Sequence, residues 1–129
     1  MHERKQKGLL AEAKAIFELT KQGYEVFLPY GDCASCDLIA LRDGKLSRVS
    51  VKYVSYAPDG SFLVELRNIS RRNHGEIAIK KFDSSAVDMV IVYIQPEDRV
   101  EFLDPKLIAG KSCLSIRRRV NQPGAGAAC

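Results

Sequence analysis

An α/β sandwich with a mixed central sheet is the fold class this sequence predicts, and three observations carry the prediction. Residues 5–22 repeat apolar side chains at helical spacing. Residues 24–66 fall into short β runs separated by turn residues. Residues 87–94 are a nearly continuous β-branched stretch, the pattern of a strand covered on both faces. A helix, a strand meander and a later buried strand pack as layers around one core.

Each element has its own justification. In residues 5–22, Leu9, Leu10, Ala13, Ile16, Phe17 and Thr20 line up as one apolar stripe, expected to face the core. Gly23 follows as the residue that closes the helix, with Lys21 in its last turn. Glu12 falls at the edge of the stripe, where a half-desolvated carboxylate needs a partner or a cation. Residues 24–29 alternate as a strand that ends at Pro29. Residues 37–41 are a second strand, Asp43-Gly44 a tight hairpin turn, and residues 46–55 the return strand. Alternation puts Arg48, Ser50, Lys52 and Val54 on one face of that strand, and Val49, Val51 and Tyr53 on the other. Pro58-Asp59-Gly60 turns the chain into a strand at 62–66. Residues 68–75 read as a polar, basic loop, and residues 77–82 as either a short helix or a strand end. After the buried strand, in which Asp88 is a structural residue, come a strand at 100–103, a helical turn at 105–109 and an edge strand at 113–116. The Gly- and Ala-rich residues 121–129 are expected to be a disordered tail on a single domain spanning 1–120.

Composition narrows the function classes. With 129 residues, 46% hydrophobic and 28% charged, the chain is an ordinary globular composition for one core. No apolar run approaches the ~20 residues that cross a bilayer, so no membrane role is expected. A polar N-terminal stretch without a signal-like core points to a cytoplasmic, reducing location. The net charge of +4 is compatible with nucleic acid without demanding it. Its distribution says more: basic residues gather at 4–7, 67–81 and 117–119. Arg67, Arg71, Arg72, Lys80 and Lys81 are therefore candidate DNA-phosphate contacts. The run at 117–119 serves equally well as a grip or as a solvated tail. The four cysteines, Cys33, Cys36, Cys113 and Cys129, are expected to be free thiols. Cys33 and Cys36 have CxxC spacing, but zinc needs about four ligands and no second pair or histidine pair accompanies them.

Three features fall into relation. Glu12 is an inward carboxylate on the helix, Asp37 begins the second strand, and Ser50 and Lys52 lie on the strand antiparallel to it. Pairing across the Asp43-Gly44 turn brings Asp37 opposite residues 50–52. Phosphodiester cleavage needs such a set. Carboxylates hold Mg²⁺, for which Mn²⁺ can substitute, and the ion neutralises the phosphate and acidifies water. A lysine beside it orients or deprotonates the attacking water. Simpler roles exist for each: Asp37 as a loop cap, Lys52 as an exposed strand residue, Glu12 as an ion-pair partner of Lys7 or Arg48.

At Lys7-Gly8-Leu9-Leu10-Ala11-Glu12, Gly23 to Pro29, Cys36-Asp37-Leu38-Ile39-Ala40 and Arg48-Val49-Ser50-Val51-Lys52, the sequence resembles the PD-(D/E)XK nuclease superfamily. The resemblance is to the branch holding certain group I intron homing endonucleases and, more distantly, to archaeal Holliday-junction resolvases. It implies a restriction-endonuclease-like α/β sandwich of core order αβββαβ. It also implies a metal-dependent endonuclease that leaves 5′-phosphate and 3′-hydroxyl ends. Asp37 would be the central metal ligand, Glu12 the helix-borne acid and Lys52 the motif lysine. The substrate implied is double-stranded or branched DNA, cut by a homodimer or homotetramer because so small a chain covers a short stretch of duplex.

Ser50 departs from the family, which has an acid there, or Gln in the homing-endonuclease branch. Three readings stay open. Asp37 and Glu12 suffice, with Ser50 acting through water; another acid, Glu65 or Asp32, supplies the missing ligand; or the site is degraded and the protein binds DNA without cutting it. A Holliday-junction resolvase-like nuclease and a redox or zinc protein built on Cys33 and Cys36 are the remaining alternatives.

Overall fold

A computed structural model describes residues 3–31, 36–56, 59–66, 68–71, 77–80 and 82–118, with 68–71 and 77–80 as backbone only. Helix α1 (Glu3–Lys21) is followed by strands β1 (Glu25–Phe27), β2 (Leu38–Arg42), β3 (Lys45–Tyr56), β4 (Phe62–Glu65), β5 (Asn68–Arg71), β6 (Ile77–Lys80), β7 (Met89–Ile94), β8 (Arg99–Leu103) and β9 (Cys113–Ile116). Short 3₁₀ turns occupy Gln95–Glu97 and Pro105–Ile108.

The α1 terminus shows why the chain turns where it does. Gly23 sits at φ 91°, a conformation that excludes most side chains. Its amide donates to the Thr20 carbonyl, and the Tyr24 amide donates to the Leu19 carbonyl, each at 3.0 Å. That pair of bonds is a Schellman closure, with Tyr24 packed beside Leu19 in the core. At the β2–β3 hairpin, Asp43 and Gly44 both take positive φ, 53° and 75°, as a type I′ turn requires.

Long, bent β3 is the hub of the sheet. It pairs antiparallel with β2 from Leu38↔Val49 to Arg42↔Lys45, and antiparallel with β4 from Val54↔Val64 to Tyr56↔Phe62. It runs parallel to β7 from Val49↔Met89 to Tyr53↔Tyr93. The parallel pair inside antiparallel surroundings makes the sheet mixed, as expected. Cores lie on both faces of it. Ala15, Leu19, Leu38, Ala40, Val49 and Ile91 pack under α1, whereas Val54, Phe62, Val64, Val90, Val92 and Ile94 pack on the opposite face. The alternation read for β3 therefore holds.

Several expectations change. The buried face of α1 carries Ala11, Ala15 and Leu19, with Ile16 of the expected stripe packed against the same core. Leu9, Leu10 and Phe17 point outward, with Phe17 57% exposed and Lys14 and Lys21 lying over its ring. Alanines let the helix settle close onto the sheet, and Leu9, Leu10 and Phe17 remain outside. In the order αβββαβ, no second α-helix occurs among the described residues. The crossover from β3 to β7 carries β4 and the separate two-stranded β5–β6 sheet instead. Residues 68–71, expected to be loop, pair with β6 in a register that sets Ile69 against Ile79, which also settles residues 77–80 as strand. Cys113 is disulfide-bonded and Cys36 is a free thiol, so the expectation that all four cysteines are free fails at Cys113. Cys33, Cys129 and the tail at 121–129 lie outside the described residues.

Candidate active site

The site forms where β3 changes partners. Its ladder to β2 ends at Val49 and its ladder to β4 begins at Val54. Between them the Val51 amide needs another acceptor. Asp37, one residue before β2, supplies it: its Oδ2 accepts from the Val51 amide at 2.7 Å. The Asp37 amide donates to the Val49 carbonyl at 2.8 Å, so the residue is held at both backbone and side chain. Asp37 therefore sits beside residues 49–51, in the plane of the ladder at the edge of β3.

Glu12 approaches the same place from α1. It borders the Ala11–Ala15 face that packs on the sheet, and its carboxyl is raised above the ordinary 4.5. Burial is the larger cause and the negative charge of Asp37 the second. The two acids thus lie within electrostatic reach of one another. The simpler partners proposed for Glu12 are engaged elsewhere. Lys7 pairs with Glu3 at 3.7 Å, and Arg48 pairs with Asp88 at 3.1 Å.

Ser50 is 9% exposed and stands on β3 in register with Val90 of β7. Lys52 follows two residues on and is half-buried. It lines a cavity of about 770 Å³ together with Arg4 and Lys7 of α1 and Glu65 of β4. In the sequence Arg4 stood only in a basic segment, whereas Lys7 stood also as a possible partner of Glu12 and at the head of the resembling Lys7–Glu12 stretch. Their spacing of three residues on a helix was the signal that both reach one place. Among the described residues no group of three or more acid, His or Cys side chains converges as a metal cage. Glu65 lines the Lys52 cavity, and Asp32, the other alternative acid, lies outside the described residues.

Asp88 is structural, as expected. It receives bonds from the Arg48 amide at 2.8 Å and from Arg48 Nε at 3.1 Å, which ties the start of β7 to β3. Arg118 of the 117–119 run lies over both the Tyr56 and Phe62 rings, 5.4 Å from each centroid, and so has a packing role. Of the candidate DNA contacts, Arg71 ends β5 and Lys80 ends β6. Arg67, Arg72 and Lys81 lie outside the described residues.

Comparison with known proteins decides the family. The profile described as PD-(D/E)XK endonuclease matches residues 2–126. The chain belongs to the PD-(D/E)XK endonuclease family. This PD-(D/E)XK endonuclease is also similar in fold to a bacterial homing endonuclease, I-Ssp6803I. The TM-score is 0.81 with 22% sequence identity, over 95% of this chain and 84% of that one. At that identity the likeness shows the fold alone. Protein 5.3 of Escherichia phage T7 is 38% identical over 52 residues, which are 40% of this chain and 44% of that protein. The match thus spans less than half of that relative's length. Nucleases of this family generally use divalent metal ions and act on DNA.

Proposed function

We propose that this PD-(D/E)XK endonuclease hydrolyses DNA phosphodiesters with a divalent ion, Mg²⁺ or in its place Mn²⁺, held by Asp37 and Glu12. The observation that carries the reading is the pair itself. Glu12, half-buried, holds its proton more tightly than usual, first because of burial and second because of the negative charge of exposed Asp37. A cation between them removes the conflict, so the donor set suits a hard divalent ion that needs only one or two protein carboxylates. When bound, such an ion supplies charge neutralisation at the phosphate and a more acidic water.

The protein's own groups do the rest. Asp37 commits Oδ2 to the Val51 amide, which fixes its rotamer and leaves Oδ1 to face the cation. Lys52, as a cation, sets positive charge beside the phosphate and yields a proton to the leaving oxygen, while the attacking water releases its proton to solvent. Ser50, neutral and short, orients water by hydrogen bonding. Water oxygen bonds to phosphorus as the P–O3′ bond breaks, and the departing 3′ oxygen gains a proton. The products are a 5′-phosphate and a 3′-hydroxyl.

Double-stranded or branched DNA is the proposed substrate, with Arg67, Arg71, Arg72, Lys80 and Lys81 as its proposed phosphate contacts. A homing-endonuclease-like homodimer or homotetramer is part of the proposal, since one copy presents one centre. The outward Leu9, Leu10 and Phe17 of α1 are suited to contact with a second copy.

Supercoiled plasmid incubated with the full chain and Mg²⁺, beside Asp37→Ala, tests the reading. Nicking or linearisation by the wild type alone is expected; cleavage that persists in the variant contradicts it. A second reading rests on Ser50: a degraded site that binds DNA without cutting. Retarded DNA with no cleavage in Mg²⁺, and cleavage gained by Ser50→Glu, would favour it. Preference for a four-way junction over linear duplex would favour a resolvase-like substrate.

A further inference from the structure

The cavity beside Lys52 has features that cleavage at Glu12 and Asp37 does not use. It is about 770 Å³, large enough for a nucleotide-sized group. Arg4 and Lys7 come to it from the first turns of α1, Lys52 and Tyr53 from β3, and Glu65 from β4. Three cations against Glu3 and Glu65 make its wall positive on the α1 side.

The Lys7–Glu3 pair is a surface contact at 3.7 Å, with side chains 42% and 84% exposed. Such a pair contributes little, and a phosphate can replace Glu3 as the partner of Lys7. Among the described residues Arg4 has no ion-pair partner.

Continuity with the cleavage site is direct. Val51 forms part of the cavity wall, and its amide is the group that holds Asp37 at 2.7 Å. One strand residue rises about 3.3 Å. A DNA strand with its scissile phosphate at the acid pair therefore lays its next nucleotide into this space.

Resting on the nuclease reading above, we propose that the cavity binds the nucleotide adjacent to the scissile phosphate, with Arg4 and Lys7 holding its backbone phosphate. The test uses the full chain, a fluorescein-labelled duplex, and Ca²⁺ in place of Mg²⁺ so that binding is read without cleavage. The Kd is followed against salt for wild type, for Arg4→Ala combined with Lys7→Ala, and for Lys45→Ala at the far end of β3. Each phosphate contact contributes a slope of about 0.9 in log Kd against log salt. The double variant is expected to lose about one from the slope, since one phosphate is released, with Lys45→Ala and the thermal melting of all three chains unchanged. An unaltered slope in the double variant overturns the proposal and leaves the nuclease reading standing. An equal loss in Lys45→Ala overturns it as well, since the effect would then be general surface charge. Absence of any salt-dependent duplex binding by the wild type overturns the nuclease reading itself.

Discussion

Asp37 takes the place of a missing strand: its Oδ2 accepts from the Val51 amide at 2.7 Å, in the interval where β3 has left β2 and not yet met β4. The split in the ladder that creates the notch and the acid that occupies it are thus one structural event. Asp37→Asn keeps an amide oxygen for Val51 but loses the charge. Plasmid cleavage in Mg²⁺ is expected to fall by roughly a hundredfold or more, with the circular dichroism spectrum and melting temperature nearly unchanged, since several kcal/mol of charge stabilisation are removed at ~1.4 kcal/mol per tenfold. A variant that melts far below the wild type would instead make the hydrogen bond the main role.

The Glu12 carboxyl sits above its ordinary 4.5 because of burial first and Asp37 second. The folded state therefore binds this proton more tightly than the unfolded chain does. Its contribution to stability is full below 4.5 and is lost as pH rises through the raised folded value. Glu12→Gln is expected to melt higher than the wild type at neutral pH, with the gap closing in acid. The gap also closes as Mg²⁺ saturates the wild type. Cleavage by the variant falls although its stability rises, and melting curves recorded across pH with and without Mg²⁺ check the pattern.

Lys52→Met is expected to lower kcat by about 10²–10⁴-fold, with duplex binding in Ca²⁺ kept within a few-fold, because proton transfer is lost and shape is preserved. Lys52→Arg does not restore the rate, since a guanidinium does not give up its proton. Single-turnover cleavage in Mg²⁺ beside duplex binding in Ca²⁺ reads this out: the rate falls in both variants while binding holds.

Asp88 is held below its ordinary 3.8, chiefly by the hydrogen bond from the Arg48 side chain and next by that from the Arg48 amide. Its contribution is present above 3.8 and is lost as pH falls through the lowered folded value. Asp88→Ala is expected to cost about 1 kcal/mol at neutral pH, reduced by solvent from a fuller charge-assisted bond. Thermal melting should show the difference shrinking in acid, and cleavage well below the melting temperature should match the wild type.

The strand meander was legible because its signals are local. Asp43-Gly44 can adopt positive φ at both turn positions, and alternation along β3 sorts Ser50 and Lys52 from Val49 and Val51. The β-branched run at 87–94 likewise announces a covered strand. The phase of α1 was not legible. Leu9, Leu10 and Phe17 outweigh alanine on any hydrophobic count, yet Ala11 and Ala15 face the sheet because small side chains permit close approach. That difference turns Glu12 from the margin of the helix toward Asp37. The β5–β6 hairpin was missed because the Ile69↔Ile79 pairing joins residues separated by a polar, basic stretch. The Lys52 cavity was hidden for a similar reason: Arg4, Lys7 and Glu65 meet there only after α1 and β4 converge on β3.

Isothermal titration of Mn²⁺ into the full chain probes the shared cation between Glu12 and Asp37 most directly. One ion per wild-type chain is expected, with affinity at least about tenfold weaker in both Asp37→Asn and Glu12→Gln and unchanged in Asp88→Asn. Equal Mn²⁺ affinity in all four proteins, or none in the wild type, would contradict a metal centre at this pair.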